Sequence, residues 1–175
     1  MSKHTVIIDG DSFIVRHFEH DDARALSQSA NNRAIWLNLR DRFPHPYTEG
    51  DARKWIDFCQ QYKPSANFAI AVDGSVAGGI GIMVQDDVHK HTAEIGYWLA
   101  EPHWGKGIMS KVVTEMTSWY FANFDLMRIY ALAFDYNPAS ARVLQKAGYE
   151  LEGRLKKSAI KDGRVLDQLV YARIT

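Results

Sequence analysis

The chain has 175 residues, of which 46% are hydrophobic and 24% charged, and its 21 lysines and arginines balance 21 aspartates and glutamates. This composition is typical of a globular protein that buries one sizeable core, so we expect a single domain over residues 1–175. The absence of net positive charge argues against a nucleic-acid partner, and no apolar run approaches the ~20 residues that cross a membrane. The N-terminal residues lack the apolar core of a signal peptide, and the single cysteine cannot form an internal disulfide. We therefore expect a cytoplasmic protein.

The first half of the chain predicts strands and helices whose boundaries carry recognisable turn and cap residues. Thr48 and Asp51 resemble a capping box that would open a helix before the stop at Pro64. The dipeptide Asp73-Gly74 separates two apolar runs and is a strong hairpin signal. The elements predicted here are a strand at Phe13–Phe18, a helix from Glu19–Asp22 to Ala30, a helix from Thr48 to about Tyr62, and strands at Asn67–Val72 and Ser75–Val84.

The second half predicts alternating strands and helices and ends in a hairpin. Asn137 and Pro138 are typical of the first residues of a helix, and Gly148 is typical of a left-handed helix end. The histidines of the turn before the next strand, His89 and His91, show no metal-ligand spacing, so we expect no metal site. The elements predicted here are a strand at Ile95–Leu99, a long helix from Ile108, a strand at Arg128–Phe134, a short helix between Asn137 and Gly148, and a hairpin of Tyr149–Ile160 with Val165–Ile174.

A glycine-containing turn lies between the strand at Ile95–Leu99 and the long helix. Glu101-Pro102 stops the strand, and Gly105 and Gly107 flank Lys106 just before the helix begins. The free N–H groups of a helix N-terminus and its dipole favour an anion, and we expect a pyrophosphate. The Walker and Rossmann spacings are both absent, because no Ser/Thr follows the lysine-glycine pair and position 110 is not glycine.

The segment from Thr92 to Ser110 resembles the GNAT acetyltransferases, in particular their ribosomal-protein N-terminal acetyltransferase (RimJ/RimL-like) branch. Their acetyl-CoA loop reads Gln/Arg-x-x-Gly-x-Gly/Ala. Trp104 stands in the Gln/Arg place, Gly107 in the glycine place and Met109 in the final small-residue place, so two of three positions depart from the pattern. Further similar segments are Asn137–Ser140, Lys146–Tyr149, Leu151–Gly153 and Leu169–Tyr171.

This resemblance implies an α/β (α+β) GNAT fold, with a mixed, mostly antiparallel seven-stranded sheet, about four helices and splayed central strands. It also implies an acyltransferase that uses acetyl-CoA as cosubstrate. The stretch from Asn31 to Tyr47 is then either a packed connection between helices or a wall of the acceptor pocket. Composition alone leaves both interpretations open.

The resemblance assigns the cosubstrate to main-chain groups more than to charged side chains. Pyrophosphate would bind the backbone of the turn and the helix start, and the Lys106 side chain either adds a contact or is simply solvated. Pantetheine would pair with main chain at Trp98 and Leu99, and Gly96 is consistent with a bulge or a close approach. Asn137 would cap its helix and bind pantetheine. The cosubstrate residues are therefore Trp98, Leu99, Trp104, Gly105, Lys106, Gly107, Ile108, Met109 and Asn137.

Two residues are candidates for catalysis. Glu94 is the expected base, acting through water on the acceptor amine, and its alternative role is an ion pair with an arginine. Many GNAT enzymes protonate the leaving thiolate with a tyrosine, but Leu144 occupies that position here. Ser140 is the expected substitute, its alternative role being to cap the helix, and Tyr136 is a poorer candidate.

The sequence does not identify the acceptor amine. The first expectation is the N-terminal α-amine of a protein. A small amine (a polyamine, an amino acid or a drug) is the enzymatic alternative, and an acyl-CoA-binding sensor without turnover is the third. Both a monomer and a homodimer are compatible with the sequence.

Overall fold

The structure is a computed structural model that describes residues 6–175. The described chain contains five α-helices and eight β-strands. The strands are β1 Val6–Asp9, β2 Ile14–Arg16, β3 Asn67–Val72, β4 Ser75–Val84, β5 Thr92–Leu99, β6 Arg128–Phe134, β7 Glu150–Lys161 and β8 Arg164–Ile174. The helices are α1 Ala23–Ala30, α2 Arg33–Trp36, α3 Glu49–Gln61, α4 Ile108–Asn123 and α5 Pro138–Lys146. None of the helices in the described part of the chain is long and apolar enough to cross a membrane.

The contacts divide the chain into two compact units. The first unit contains the residues up to Gly81 together with Tyr97–Ile108, and the second contains Ile82–Gly96 together with Met109–Thr175. Whether these units act as one domain stays a prediction from the sequence.

In the first unit, β1, β2, β3 and β4 follow one another in antiparallel order. The hairpin of β3 and β4 turns at Asp73-Gly74, where both residues have positive φ, as the sequence predicts. The predicted capping box at Thr48 and Asp51 is present at the start of α3. Apolar residues of α1, α3, the sheet and the connecting segments form the buried core of this unit: Phe18, Ala23, Leu26, Ala30, Tyr47, Ala52, Ile56, Cys59, Ala69 and Val76.

A buried ion pair closes the connection between β2 and α1. The guanidinium of Arg16 donates to both carboxylate oxygens of Asp22, each at 2.7 Å. The Glu19 N–H also donates to Asp22, so the carboxylate is satisfied although both ionic side chains are largely removed from water. This pair and its hydrogen bonds raise the pKa of Arg16 further above its usual value.

In the second unit, β5 and β6 pair in parallel, and β6–β8 and β8–β7 pair in antiparallel fashion. The β5–β6 ladder joins Thr92–Glu94 to Arg128–Tyr130, although β5 has eight residues and β6 seven. A ladder that covers only the start of both strands agrees with the predicted splay of the central strands. Buried side chains of this unit include Val112, Val113, Met116, Tyr120, Ile129 and Leu144.

The predicted fold class is confirmed, with two corrections to the number of elements. The described residues form eight strands rather than seven, because β1 precedes the strand that the sequence predicts first. They form five α-helices rather than four, because α2 is a single turn within the Asn31–Tyr47 stretch. Asn32 caps that turn by accepting from the Ala34 N–H at 2.7 Å.

Candidate functional site

The turn between β5 and α4 has the conformation that its two glycines permit. Gly105 has φ +74° and Gly107 has φ +79°, in the left-handed region. A Cβ atom at either position would meet no atom within 4 Å, so these glycines are required by backbone conformation rather than by space. The indole Nε1 of Trp104 donates to the Leu99 carbonyl at 2.6 Å, which ties the turn to the end of β5.

The start of α4 supplies main-chain groups rather than side chains. Ile108 and Met109 are buried, so their side chains are not available to a ligand. The first N–H groups of a helix have no acceptor within the helix, and its dipole places partial positive charge there. Gly105, Lys106 and Gly107 are exposed just before it. The arrangement is suited to an anion bound by backbone amides.

The end of β5 is oriented by its neighbour β4. A Cβ on Gly78 would lie 2.4 Å from the Trp98 carbonyl oxygen, so that oxygen faces β4 at very close range. The Ala100 N–H donates to Ala77 O at 2.7 Å on the same side. Because strand residues alternate, main-chain groups of Tyr97 and Leu99 face the opposite edge of β5. The sequence analysis assigns Trp98 and Leu99 to pantetheine, and of these two residues Leu99 has its main chain on the edge away from β4.

Close approach of backbones occurs at Gly78 and not at Gly96. A Cβ at Gly96 would meet no atom of the described residues within 4 Å, so Gly96 does not make room for a neighbouring strand or side chain. A close approach of the cosubstrate at Gly96 stays a prediction. The signal that could have identified the real site is the glycine pair in β4, Gly78-Gly79, in an otherwise apolar strand.

The Asn31–Tyr47 stretch packs on the side chain of Trp98. Phe43 lies with its ring centroid 5.7 Å from Trp98 and 4.8 Å from Tyr47. A hydrogen bond joins the two ends of the stretch, because Asn31 Oδ1 accepts from the Tyr47 N–H at 3.0 Å. Burial raises the pKa of the Tyr47 phenol well above its usual value, so this ring stays neutral. The stretch is thus a packed connection that also covers the strand end assigned to pantetheine.

Asn32 joins this stretch to the segment before the glycine turn. Its Oδ1 caps α2, and its Nδ2 donates to Glu101 Oε2 at 2.7 Å. A groove of about 500 Å³ runs alongside this bond within the first unit. Its lining residues are Gln28, Ser29, Asn31, Asn32, Ala100, Glu101, Pro102 and His103.

In the second unit, the start of α5 holds Asn137 and Ser140. The Ser140 N–H donates to Asn137 Oδ1 at 3.1 Å, so Asn137 is the N-cap of α5. The Nδ2 donor of Asn137 has no partner among residues 6–175. Asn137 can therefore cap the helix and still donate one hydrogen bond to a ligand, as the sequence predicts.

Glu94 lies on β5 and Ser140 lies on α5, and both belong to the second unit. Glu94 is half-buried and lies opposite Tyr130 in the β5–β6 ladder. Phe134, the last residue of β6, lies four residues further on, which is about 13 Å along a strand. Ser140 follows beyond that end.

Two positions, 144 and 136, were considered for a tyrosine that protonates the leaving thiolate. Leu144 is fully buried in α5, so no acid stands at the position where many GNAT enzymes have tyrosine. Tyr136 is more than a third exposed and stacks on Phe134, with the guanidinium of Arg164 5.7 Å from its ring centroid. Burial raises the pKa of Tyr136 and Arg164 opposes that shift, so its phenol is protonated at neutral pH.

Comparisons with known proteins indicate the family and the fold of the chain. A sequence model of the acetyltransferase (GNAT) domain matches residues 12–150. The ribosomal-protein-serine acetyltransferase of Escherichia coli (strain K12) is 32% identical over 155 residues, 86% of this chain and 86% of the relative. The L-amino acid N-acetyltransferase AaaT of the same organism is 26% identical over 162 residues, 92% and 97% of the two chains. The solved structure of RimL, a ribosomal L7/L12 α-N-protein acetyltransferase in complex with coenzyme A, is 25% identical with a TM-score of 0.85 and 97% coverage of both chains.

Proposed function

Since the chain belongs to the GNAT acetyltransferases, with relatives in the RimJ/RimL-like branch, we propose that it acetylates the N-terminal α-amine of a protein. Acetyl-CoA is the cosubstrate. The observation that carries the proposal is the turn with two left-handed glycines at the start of the 16-residue helix α4. The protein acceptor is supported by the ribosomal-protein-serine acetyltransferase, which is 32% identical over most of both chains.

The pyrophosphate of the cosubstrate would be bound by backbone amides. The N–H groups from Gly105 to Met109 are the donors, and Lys106 adds a charge at the exposed rim of the turn. Pantetheine would pair with main chain at the end of β5, at Leu99. In the second unit, Asn137 Nδ2 has a hydrogen bond to donate to a ligand. No side-chain cation is needed for this binding.

The acceptor must lose a proton before it attacks the thioester. The pKa of a lysine ammonium, near ~10.4, lies about three units above pH 7, whereas the pKa of an α-amine, near ~7.7–8.0, lies only about one unit above it. Deprotonation at pH 7 therefore costs less free energy for the α-amine. Glu94, acting through water, is a sufficient base for the smaller task. As the nitrogen–carbon bond forms and the carbon–sulfur bond breaks, the Ser140 hydroxyl would donate to the leaving thiolate.

A small amine is the second candidate acceptor, and a specific observation favours it. The amino-acid acetyltransferase AaaT is 26% identical over 92% of this chain. The same residues would serve either acceptor, because an amino acid also presents an α-amine.

No residue assigned to the reaction belongs to a second copy, so a monomer or a homodimer would carry it. The single cysteine, Cys59, is buried, and we place the reaction in the reducing cytoplasm.

Release of free CoA with a panel of acceptors tests this function. The panel compares a peptide with a free N-terminus, an N-terminally blocked peptide containing lysine, a free amino acid and a polyamine. We expect the free N-terminus to give the highest kcat/KM. Higher kcat/KM for a small amine would contradict the proposed acceptor, and no release with any amine would favour an acyl-CoA-binding sensor.

The variant Ser140→Ala tests the role of the Ser140 hydroxyl in the same assay. If the hydroxyl assists the leaving thiolate, kcat should fall by about 10²-fold or more with acetyl-CoA affinity nearly unchanged. Ser118→Ala, on the exposed side of α4, is the matched control. Full turnover by Ser140→Ala would remove Ser140 from the mechanism.

A further inference from the structure

Strand β7 carries a bulge in which three residues face one residue of β8. Leu155 pairs with Gln168 and Ala159 pairs with Leu166, so Lys156, Lys157 and Ser158 lie opposite Asp167 alone. Lys157 has φ +51°, a conformation that lysine rarely adopts. Bulges of this kind occur often beside active sites, where they redirect side chains.

Hydrogen bonds fix the bulge in one conformation. The Lys157 N–H donates to Asp167 Oδ1 at 2.8 Å, which compensates the left-handed backbone. Ser158 Oγ lies 3.0 Å from the Leu155 carbonyl and 3.1 Å from Gln168 Oε1, on either side of the bulge. The bulge is therefore a defined part of the structure rather than a frayed strand end.

Arg154 holds the bulge beside the turn that carries the candidate catalytic residue. Its Nε donates to Asp167 Oδ2 at 2.6 Å, and its Nη2 donates to Asp135 Oδ2 at 2.8 Å. Asp135 follows directly on β6, and its N–H donates to Asp167 O at 3.1 Å. The chain then continues through Asn137 to Ser140. A group bound at Ser140 thus has the bulge as a close neighbour within the second unit.

The charges at the bulge are unevenly compensated. Arg154 is neutralised by two carboxylates, and the hydrogen bonds from Lys157 and Arg154 hold the pKa of Asp167 below its usual value. Lys156 and Lys157 are exposed beside that network, and Lys156 also helps to lower the pKa of Asp167. Arg154, Lys156 and Lys157 against Asp135 and Asp167 leave a single net positive charge at the bulge. On a chain without net charge, this pair is a local positive feature.

We propose, building on the acetyl transfer proposed above, that Lys156 and Lys157 recognise an acidic segment of the acceptor polypeptide that follows its N-terminal residue. An extended chain advances about 3.3 Å per residue, so an acceptor with its amine at Ser140 passes the bulge within its first several residues. The backbone of the bulge is held in place, so it presents the two exposed lysines to carboxylates at one position of the sheet edge. Lysines and bulges also prevent an edge strand from pairing with a strand of another chain, and one outcome of the test below would assign the lysines that role.

The test compares two peptides with the same first residues, one continued by acidic residues and one by their neutral amides. The bulge variant is Lys156→Ser with Lys157→Asn, because asparagine tolerates positive φ. The control variant, Lys90→Gln with Lys146→Gln, removes two exposed lysines elsewhere in the second unit. The measured quantity is the ratio of kcat/KM for the acidic and the neutral peptide.

We expect the wild-type enzyme to prefer the acidic peptide about three- to tenfold, through KM rather than kcat. The preference should disappear in the bulge variant, persist in the control variant, and weaken in about 1 M salt, where the Debye length is about 3 Å. Equal ratios in all three proteins overturn the proposal, and self-association of the bulge variant would then assign the lysines to edge protection. Absence of transfer to either peptide overturns the proposed function itself, a result distinct from transfer without charge preference.

Discussion

At the scale of single residues, the two glycines before α4 carry the assignment of the phosphate site. Both have positive φ with open space around the missing Cβ, so a substitution acts through backbone conformation alone. A residue other than glycine costs about 1–2 kcal/mol in the left-handed region. If position 107 leaves that region, the N–H groups that follow it no longer point to one place.

We therefore expect Gly107→Val to lower acetyl-CoA affinity by at least about tenfold, which is ~1.4 kcal/mol. Gly74→Val is the matched control, because Gly74 has φ +78° and equally open surroundings but lies in the β3–β4 turn. Both variants should lose similar stability, and only Gly107→Val should lose affinity in calorimetry. Equal affinities in the two variants would show that the turn does not bind the cosubstrate.

At the scale of elements, the strongest local signals gave the correct boundaries. The hairpin at Asp73-Gly74, the capping box at Thr48 and the cap at Asn137 all lie where the sequence predicts them, because each depends on neighbouring residues only. The short strand β1 was missed, since four residues without alternation do not show a period. The bulge at Lys156–Ser158 was missed for another reason: it exists only because Asp167, on another strand, accepts its backbone N–H.

In the candidate site too, features that depend on neighbouring residues were predictable, and features that depend on another strand were not. The glycine turn before α4 follows from local sequence and is present in the structure, whereas its binding of pyrophosphate stays a prediction. The orientation of the Trp98 carbonyl does not, because it depends on Gly78 of the adjacent strand. The distance between Glu94 and Ser140 depends likewise on the register of β5 with β6.

The link between β2 and α1 gives an element-scale test of stability. Breaking a buried ion pair by neutralising one partner costs about 3–5 kcal/mol, because the other charge is left uncompensated. Asp22→Asn should therefore lower the free energy of unfolding by that amount, through the unpaired Arg16. Asp21→Asn, exposed in the same turn, should change it by less than about 0.5 kcal/mol. Urea unfolding measures both, and similar values for the two variants would mean that Arg16 finds water or another acceptor.

At the scale of the whole molecule, the absence of net charge limits what can select the acceptor. Equal numbers of acidic and basic residues produce no long-range attraction for an acidic or basic protein. Selection must then come from local features, such as the exposed lysines of the β7 bulge.

The central claim is that this chain acetylates an α-amine whose proton passes to Glu94. The most direct test is the pH dependence of kcat/KM for the wild-type enzyme and Glu94→Gln on one α-amine peptide, with Glu115→Gln, an exposed carboxylate of α4, as control. Near neutral pH, Glu94→Gln should be the slower enzyme. The gap should close by about pH 9, one unit above the α-amine pKa, because the free amine then forms without a base. A gap of constant size across this range would contradict the claim.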